Sequence, residues 1–493
     1  MTQHHRVLII GAGPCGLMTA CELRRRGVDA VVIDASPEPP RGSRAILLWP
    51  PTLRMFRELG FGAEADRRGV PIRALSYHLG RGRALRLELE QVNAPLILPQ
   101  EDTDELLTRK LESLGGKVEW GVTLTAVAQD DDGVTVTLAR GDGASEERRA
   151  DWLIGADGVR SKLRDLLGVA FEGEPLPITF LLAEGTVSGA YDRDAINYYI
   201  GRAGGVLIVS IPGGKVRISA PLPPGSTVEP GTAQRMLDER GPGGLRVEEL
   251  VTNTTFHSQE RVAAKLRVGR CFLVGDAAHT HSVVGGQGLN LGFGDARNLA
   301  WKLAGVLDGR LRPRVLDSYD IERRAAAEQV VRATSRMARQ AKLGPFAVWV
   351  RNTLMTLAHR SGALARRIPP MLAGWQIRYP DALLGPVAPS RARALPPPGA
   401  CSPEWTVERD ADHPDTFELV TLGPESSPQR AQAAELSRAL ATLVEHRHVV
   451  GKDPGYLLLR PDGFVAASGV SADLGWVRAA LAGLSASNKE LSR

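Results

Sequence analysis

Cysteine is scarce, with four in 493 residues. Cys15, Cys21, Cys271 and Cys401 have neither the density of a disulfide framework nor metal-ligand spacing, which argues against a stapled secreted scaffold and against a structural metal site. No apolar run approaches the ~20 residues that a membrane span needs. The start, Met1-Thr2-Gln3-His4-His5, is not a secretory signal, because a strand pattern begins at once. The cytoplasm is therefore the expected compartment, with no membrane partner. Excess charge is also modest, at +5. It is dispersed, and Arg24-Arg25-Arg26 and Arg67-Arg68 read as solvated helix faces, so no nucleic-acid partner is expected. Internal repeats and a Cys-x-x-Cys pair are missing as well. With 43% hydrophobic residues, a chain of this length can bury large cores in two or three domains.

Glycine-rich motifs stand out against this background. The run Arg6 to Ile10 is short, apolar and β-branched, as in a buried parallel strand. Gly11-Ala12-Gly13-Pro14-Cys15-Gly16 follows it. Gly11 would allow a tight turn, Gly13 a close approach of backbone to pyrophosphate, and Gly16 close helix packing. The helix from Pro14 to about Arg26 would aim its positive end at the phosphates. Asp29 to Asp34 reads as the second strand, and Asp34, followed by Ala35, lies about 20 residues on, where an acid meets a ribose. Two further strands end in acids: Asp151–Ala156 before Asp157-Gly158, and Arg270–Val274 before Gly275-Asp276. Either aspartate alone would more often cap a helix. Together they suit the hydroxyls of an extended dinucleotide with a ribityl chain. A third glycine run, Gly285-Gly286-Gln287-Gly288-Leu289-Asn290, precedes a helix expected to begin near Leu291. Its N–H groups are suited to a negatively charged ring.

These motifs resemble those of the class A FAD-dependent aromatic monooxygenases, built like para-hydroxybenzoate hydroxylase, and in particular the polyketide hydroxylase and rifampicin monooxygenase branch. Gly11–Gly16, Asp157-Gly158-Val159-Arg160-Ser161 and Gly275-Asp276-Ala277-Ala278-His279 match three family signatures. Arg41-Gly42-Ser43-Arg44-Ala45 and Leu98-Pro99-Gln100 resemble its arginine loop and glutamine-bearing helix start. Asp295–Leu303 and Tyr319–Arg324 also fit. The resemblance implies that Gly11, Gly13, Pro14, Cys15, Gly16, Asp34, Ala35, Arg44, Gln100, Asp157, Gly275 and Asp276 bind FAD. It also implies that Arg44, Gly286, Gly288, Leu289 and Asn290 serve both binding and catalysis. NADPH or NADH would reduce the flavin, and dioxygen would yield a flavin hydroperoxide that an electron-rich ring attacks. A second nicotinamide fingerprint is not expected in this family.

The implied fold is α/β. A Rossmann-like FAD-binding domain with a helical segment would take residues 1–75, 97–170 and 271–393. A mixed-sheet substrate domain would take 76–96 and 171–270. Pro396-Pro397-Pro398-Gly399 would link to a thioredoxin-like domain over 394–493, without a redox dithiol. Between Gln287 and Tyr379 the chain should be helical, broken at Gly344-Pro345 and Ile368-Pro369-Pro370. Tyr198, Tyr199 and Phe256 are expected to serve ordinary sheet packing. His257, His78 and the tyrosines are bare candidates for a general base, and His279 with His281 lacks the further ligands of a metal site. The family commonly carries proline where Val283 stands. Hydroxylation of a phenolic or polycyclic aromatic natural product leads, while Baeyer–Villiger insertion, epoxidation, rearrangement and a non-catalytic ligand-binding flavoprotein stay open. The chain would act as a monomer or homodimer.

Overall fold

The computed structural model describes residues 3–39, 45–80, 84–141, 143–201, 204–223, 225–282, 285–339, 345–380, 383–384, 395–405, 415–471 and 473–486, with backbone alone at 175–177, 257–258, 336–339 and 345. Arg44 and Val283, and the side chain of His257, lie outside these.

The first strand, Gln3–Ile10, is the centre of an eight-stranded sheet. Its last four residues are almost wholly buried, because parallel strands are covered on both faces. It pairs in parallel with Ala30–Asp34 on one side and Ser145–Gly155 on the other, and Cys271–Leu273 continues the parallel set. All three glycine-acid motifs therefore leave the same end of one sheet, the end where open α/β sheets bind ligands. Val122–Gln129 and Val134–Arg140 form an antiparallel hairpin on this sheet.

A second sheet of eight strands is mixed. Phe171–Ser188, Ala195–Gly201, Gly204–Ile211, Lys215–Leu222 and Arg246–Ala263 are joined by antiparallel pairings. Ala195–Gly201 departs from this by pairing in parallel with Ala74–His78. Its alternation sorts side chains onto two faces. Leu181, Ala183, Val206, Ile208, Ile218 and Ala220 pack with the helix Thr232–Arg240. Phe180, Leu182, Leu207, Val209, Tyr198 and Phe256 face the other way, over a cavity.

Two helix expectations need correction. The long helix after the third glycine run begins at Gly288, not Leu291, and reaches Leu307. Pro369 and Pro370 do not break the chain but sit inside the helix Ala363–Leu372. Neither can donate an N–H to the carbonyl four residues back, so the helix continues there without those two bonds.

Residues 417–484 form a four-stranded sheet ordered Val444–Val450, Phe417–Gly423, Gly455–Leu459, Val465–Gly469. The first two strands are parallel and flank the helix Pro428–Ala439, and the last two are antiparallel and followed by Gly475–Leu484. A buried ionic cluster ties this unit to the rest. Arg460 donates to Glu322 at 2.7 and 2.8 Å, Lys302 Nζ donates to Glu322 at 2.7 Å, and Asp462 accepts from Arg460 at 2.6 Å and Trp301 at 3.3 Å. No helix among the described residues is long and apolar enough to cross a membrane.

Candidate functional site

The first glycine loop is built by close contact. Gly11 has φ +105°, and a Cβ there would stand 2.4 Å from the Ala156 carbonyl oxygen, so the loop presses directly on the end of the neighbouring strand. A Cβ on Gly16 would stand 1.9 Å from the Gly11 oxygen, so the helix Pro14–Arg24 can only seat with glycine there. Gly13 differs, since a Cβ on it would meet no atom within 4 Å. The side of Gly13 that glycine keeps bare faces the cavity, beside the N-terminal end of the helix.

Asp34 receives the Ala12 N–H on Oδ2 at 2.7 Å and the Ser36 N–H on Oδ1 at 2.8 Å. It braces the glycine loop and keeps further lone pairs for a hydroxyl donor. Asp157 does part of what a capping acid does, taking the Leu163 N–H on Oδ2 at 3.0 Å, while Ser161 caps the helix itself. Asp157 Oδ1 is buried without a partner, and burial raises this carboxyl's pKa despite hydrogen bonds that lower it.

The third motif is held by residues that spacing alone gave no role. Asp295 accepts from Gly275 N–H at 2.9 Å, from His279 Nε2 at 2.7 Å and from Arg323 Nε at 2.6 Å. Burial would raise the Asp295 pKa, but His279 and Arg323 outweigh it and hold it below the usual carboxylate value. Arg323 goes on to Tyr379 OH at 2.7 Å and the Leu291 carbonyl at 2.9 Å. Cys15 locks the first motif to the third. Its sulfur lies where a Cβ on Gly275 or Gly292 would come within 2.7 or 2.4 Å.

Asn290 spends its side chain on architecture. Oδ1 accepts from Trp49 N–H and Thr52 Oγ1, and Nδ2 donates to the Leu47 and Gly286 carbonyls, all at 2.8 to 2.9 Å. Its backbone N–H, with those of Gly288 and Leu289, belongs to the first helical turn, which lacks intrahelical acceptors.

One cavity of about 1900 Å³ joins these parts. It runs from Gly13, Pro14, Cys15, Gln100 and Asp276 past Gly286, Gly288 and Leu289 to the second sheet. Gly11, Gly16, Asp34, Ala35, Asp157, Gly275 and Asn290 do not line it. Typical single-ligand pockets reach about 1000 Å³ at most, so this one has room for a dinucleotide and a second molecule together. The far wall is aromatic: Tyr77 stacks on Tyr198 at 5.0 Å and Phe180 on Phe256 at 5.4 Å. Tyr198, Tyr199 and Phe256 all line the cavity, and Tyr199 also stacks on His78 at 4.1 Å. His78 bonds to Asn197 Oδ1 at 3.2 Å, and burial lowers its pKa. Arg217 lines the cavity and is paired with Glu184 through Nε at 2.7 Å. The helix Pro345–Arg360 closes another side with Val350, Arg351 and Leu354.

Gln100 starts the helix Gln100–Ser113 and accepts the Ala45 N–H at 3.3 Å. Behind it, burial pushes the Asp104 carboxyl up to about 7. The motif Leu98-Pro99-Gln100 pointed to this helix start but not to Asp104. Among the described residues no cluster of three or more potential metal ligands occurs.

A bare glycine face at a helix start, acids at strand ends and a long cavity fit an extended dinucleotide, so fold and site define a dinucleotide-binding α/β protein. Residues 4–334 match the family model described as FAD binding domain. The 6-methylpretetramide 4-monooxygenase of Streptomyces rimosus is 33% identical, over 94% of this chain and 90% of that one. A rifampicin monooxygenase of Streptomyces venezuelae is 36% identical, over 66% and 69%. Among solved structures, anhydrotetracycline hydroxylase from Streptomyces rimosus superposes with a TM-score of 0.75 at 26% identity, covering 98% of this chain and 100% of that one. An aromatic hydroxylase from angucycline biosynthesis gives 0.75 at 25%, covering 98% and 99%. The chain belongs to the FAD-binding family of class A aromatic hydroxylases and is an FAD-dependent monooxygenase.

Proposed function

We propose that this enzyme hydroxylates a phenolic polycyclic natural product of the polyketide kind, in the cytoplasm, with NADPH as electron donor. The observation that carries this reading is the single cavity of about 1900 Å³ that continues from the glycine loops to a stacked aromatic wall. The names of similar proteins, monooxygenases of 6-methylpretetramide, anhydrotetracycline and rifampicin, support the substrate class. Bound FAD, once reduced, supplies the two-electron chemistry that activates dioxygen. Overall, NADPH, a proton, dioxygen and the arene give NADP⁺, the phenol and water.

The chain's own residues bind and orient. The loop at Gly13 and the start of helix Pro14–Arg24 would receive the pyrophosphate, Asp34 the adenosine ribose and Asp276 the ribityl chain. The N–H groups at Gly286, Gly288 and Leu289 would stabilise negative charge on the flavin ring. Arg44, Gln100 and Asp157 would contribute further contacts to the cofactor, Gln100 from its helix start. The mixed sheet excludes water from above. This assigns 1–75, 97–170 and 271–393 to FAD binding, and 76–96 with 171–270 to substrate. The strand order over 417–484 supports a thioredoxin-like C-terminal domain whose role is packing, not redox.

The test is NADPH consumption by FAD-loaded enzyme with a panel of polycyclic phenols, followed by mass spectrometry. A product heavier by one oxygen atom supports the reading, and fragmentation separates hydroxylation from ring insertion. Hydrogen peroxide with every compound unchanged would refute it.

A further inference from the structure

Among the described side chains that line the cavity, Thr280 and His281 alone carry a buried polar atom with no hydrogen-bond partner, Oγ1 and Nε2 respectively. Buried polar atoms are nearly always satisfied, so two adjacent exceptions on residues that line one cavity call for a ligand. The His281 tautomer is fixed by its other nitrogen. Nδ1 lies 2.8 Å from the Ser282 carbonyl oxygen, which can only accept, so Nδ1 carries the proton. Burial brings the ring's pKa down to about 4, so it is neutral near pH 7. Nε2 is then a bare acceptor. It lies 3.5 Å from where a Cβ on Gly288 would stand, at the start of the long helix.

We propose that His281 Nε2, with Thr280 Oγ1 beside it, accepts the hydrogen bond of a substrate hydroxyl and so orients the aromatic ring above the Gly285–Leu289 loop. This rests on the monooxygenase reading of the cavity. The neutral imidazole does not remove the phenolic proton. It shares it, which fixes the ring and increases the electron density that oxygen transfer requires. Thr280 can donate as well as accept, which suits a second oxygen on the same molecule. A flavin ring N–H offers the same donor chemistry, and the experiment separates the two sources.

The test uses FAD-loaded enzyme titrated with 2-hydroxyanthraquinone and its methyl ether, 2-methoxyanthraquinone, following fluorescence quenching. Wild type should favour the hydroxy compound by about tenfold, the yield of one good hydrogen bond in a dry site. In His281→Phe the preference should fall to within about twofold, while His281→Gln, which keeps an acceptor, should retain part of it. FAD affinity and the visible flavin spectrum should stay unchanged in both variants, which also shows that they fold. A preference that survives His281→Phe, or is missing from wild type, overturns the proposal. So does weakened FAD binding with the preference intact, which assigns Nε2 to the flavin. If neither probe binds the FAD-loaded wild type, the aromatic reading of the cavity fails together with this one.

Discussion

Replacing Arg460 by methionine tests what holds the C-terminal unit to the flavin-binding core. Arg460, Lys302, Glu322 and Asp462 form a cluster whose side chains are at most 3% exposed, and their charges cancel. Burial alone would raise the Glu322 pKa, but Arg460 and Lys302 outweigh it and hold the carboxyl at about 2. Arg460→Met removes two hydrogen bonds to Glu322 and two to Asp462. One negative charge is left buried without compensation, at a cost of about 3–5 kcal/mol. At roughly 1 °C per kcal/mol for a cooperative unit of 493 residues, the midpoint should fall by about 3–5 °C. Thermal unfolding should be followed by circular dichroism and, in parallel, by the flavin fluorescence released as FAD departs. The double variant Arg460→Met with Asp462→Asn restores neutrality and should recover about half of the loss, because the Lys302–Glu322 pair stays whole. A single variant within about 1 °C of wild type, or a double variant no better than the single, would refute the charge argument.

Two further outcomes follow from the same geometry. Gly13→Ala adds a methyl group on the bare side of the loop, so the fold should keep its midpoint while FAD binding weakens by about a hundredfold or more. Gly16→Ala, which meets the Gly11 carbonyl, should destabilise the apoprotein itself by about 1–3 kcal/mol, and equal behaviour of the two variants in calorimetry and FAD titration would contradict this division. The second concerns acid. Burial opposes the ionised forms of Glu22 and Glu322, yet Arg25, Arg26 and Arg297 around the first, and Arg460 and Lys302 around the second, hold both at about 2 against an ordinary 4.5. Depressed carboxyl values stabilise the fold fully above the unfolded pKa, and that stability drains as pH falls from about 4.5 toward 2. Each group contributes about 3 kcal/mol. Urea midpoints that stay flat between pH 5 and 3 would show that the two carboxyls are not held below their ordinary value in the fold.

The sequence by itself determined the first half of the site. Gly11, Gly13 and Gly16 are legible because one backbone geometry needs all three, and the apolar strand before them is a local pattern. Tertiary structure decided the rest. Asp295, Arg323 and Tyr379 come from separate helices or from a segment beyond them, and only their meeting around Gly275 reveals their work. The sequence also gave no sign that Asn290 would spend its amide on Leu47, Trp49 and Thr52, more than 230 residues away along the chain. The parallel pairing of Ala195–Gly201 with Ala74–His78 is likewise a long-range event without a local signature. His281 is the sharpest case. As a letter in the sequence it resembles half of a metal pair. As a half-buried ring with one nitrogen tied to Ser282 and the other without a partner, it is a hydrogen-bond acceptor, because only the fold says which of its neighbours are absent.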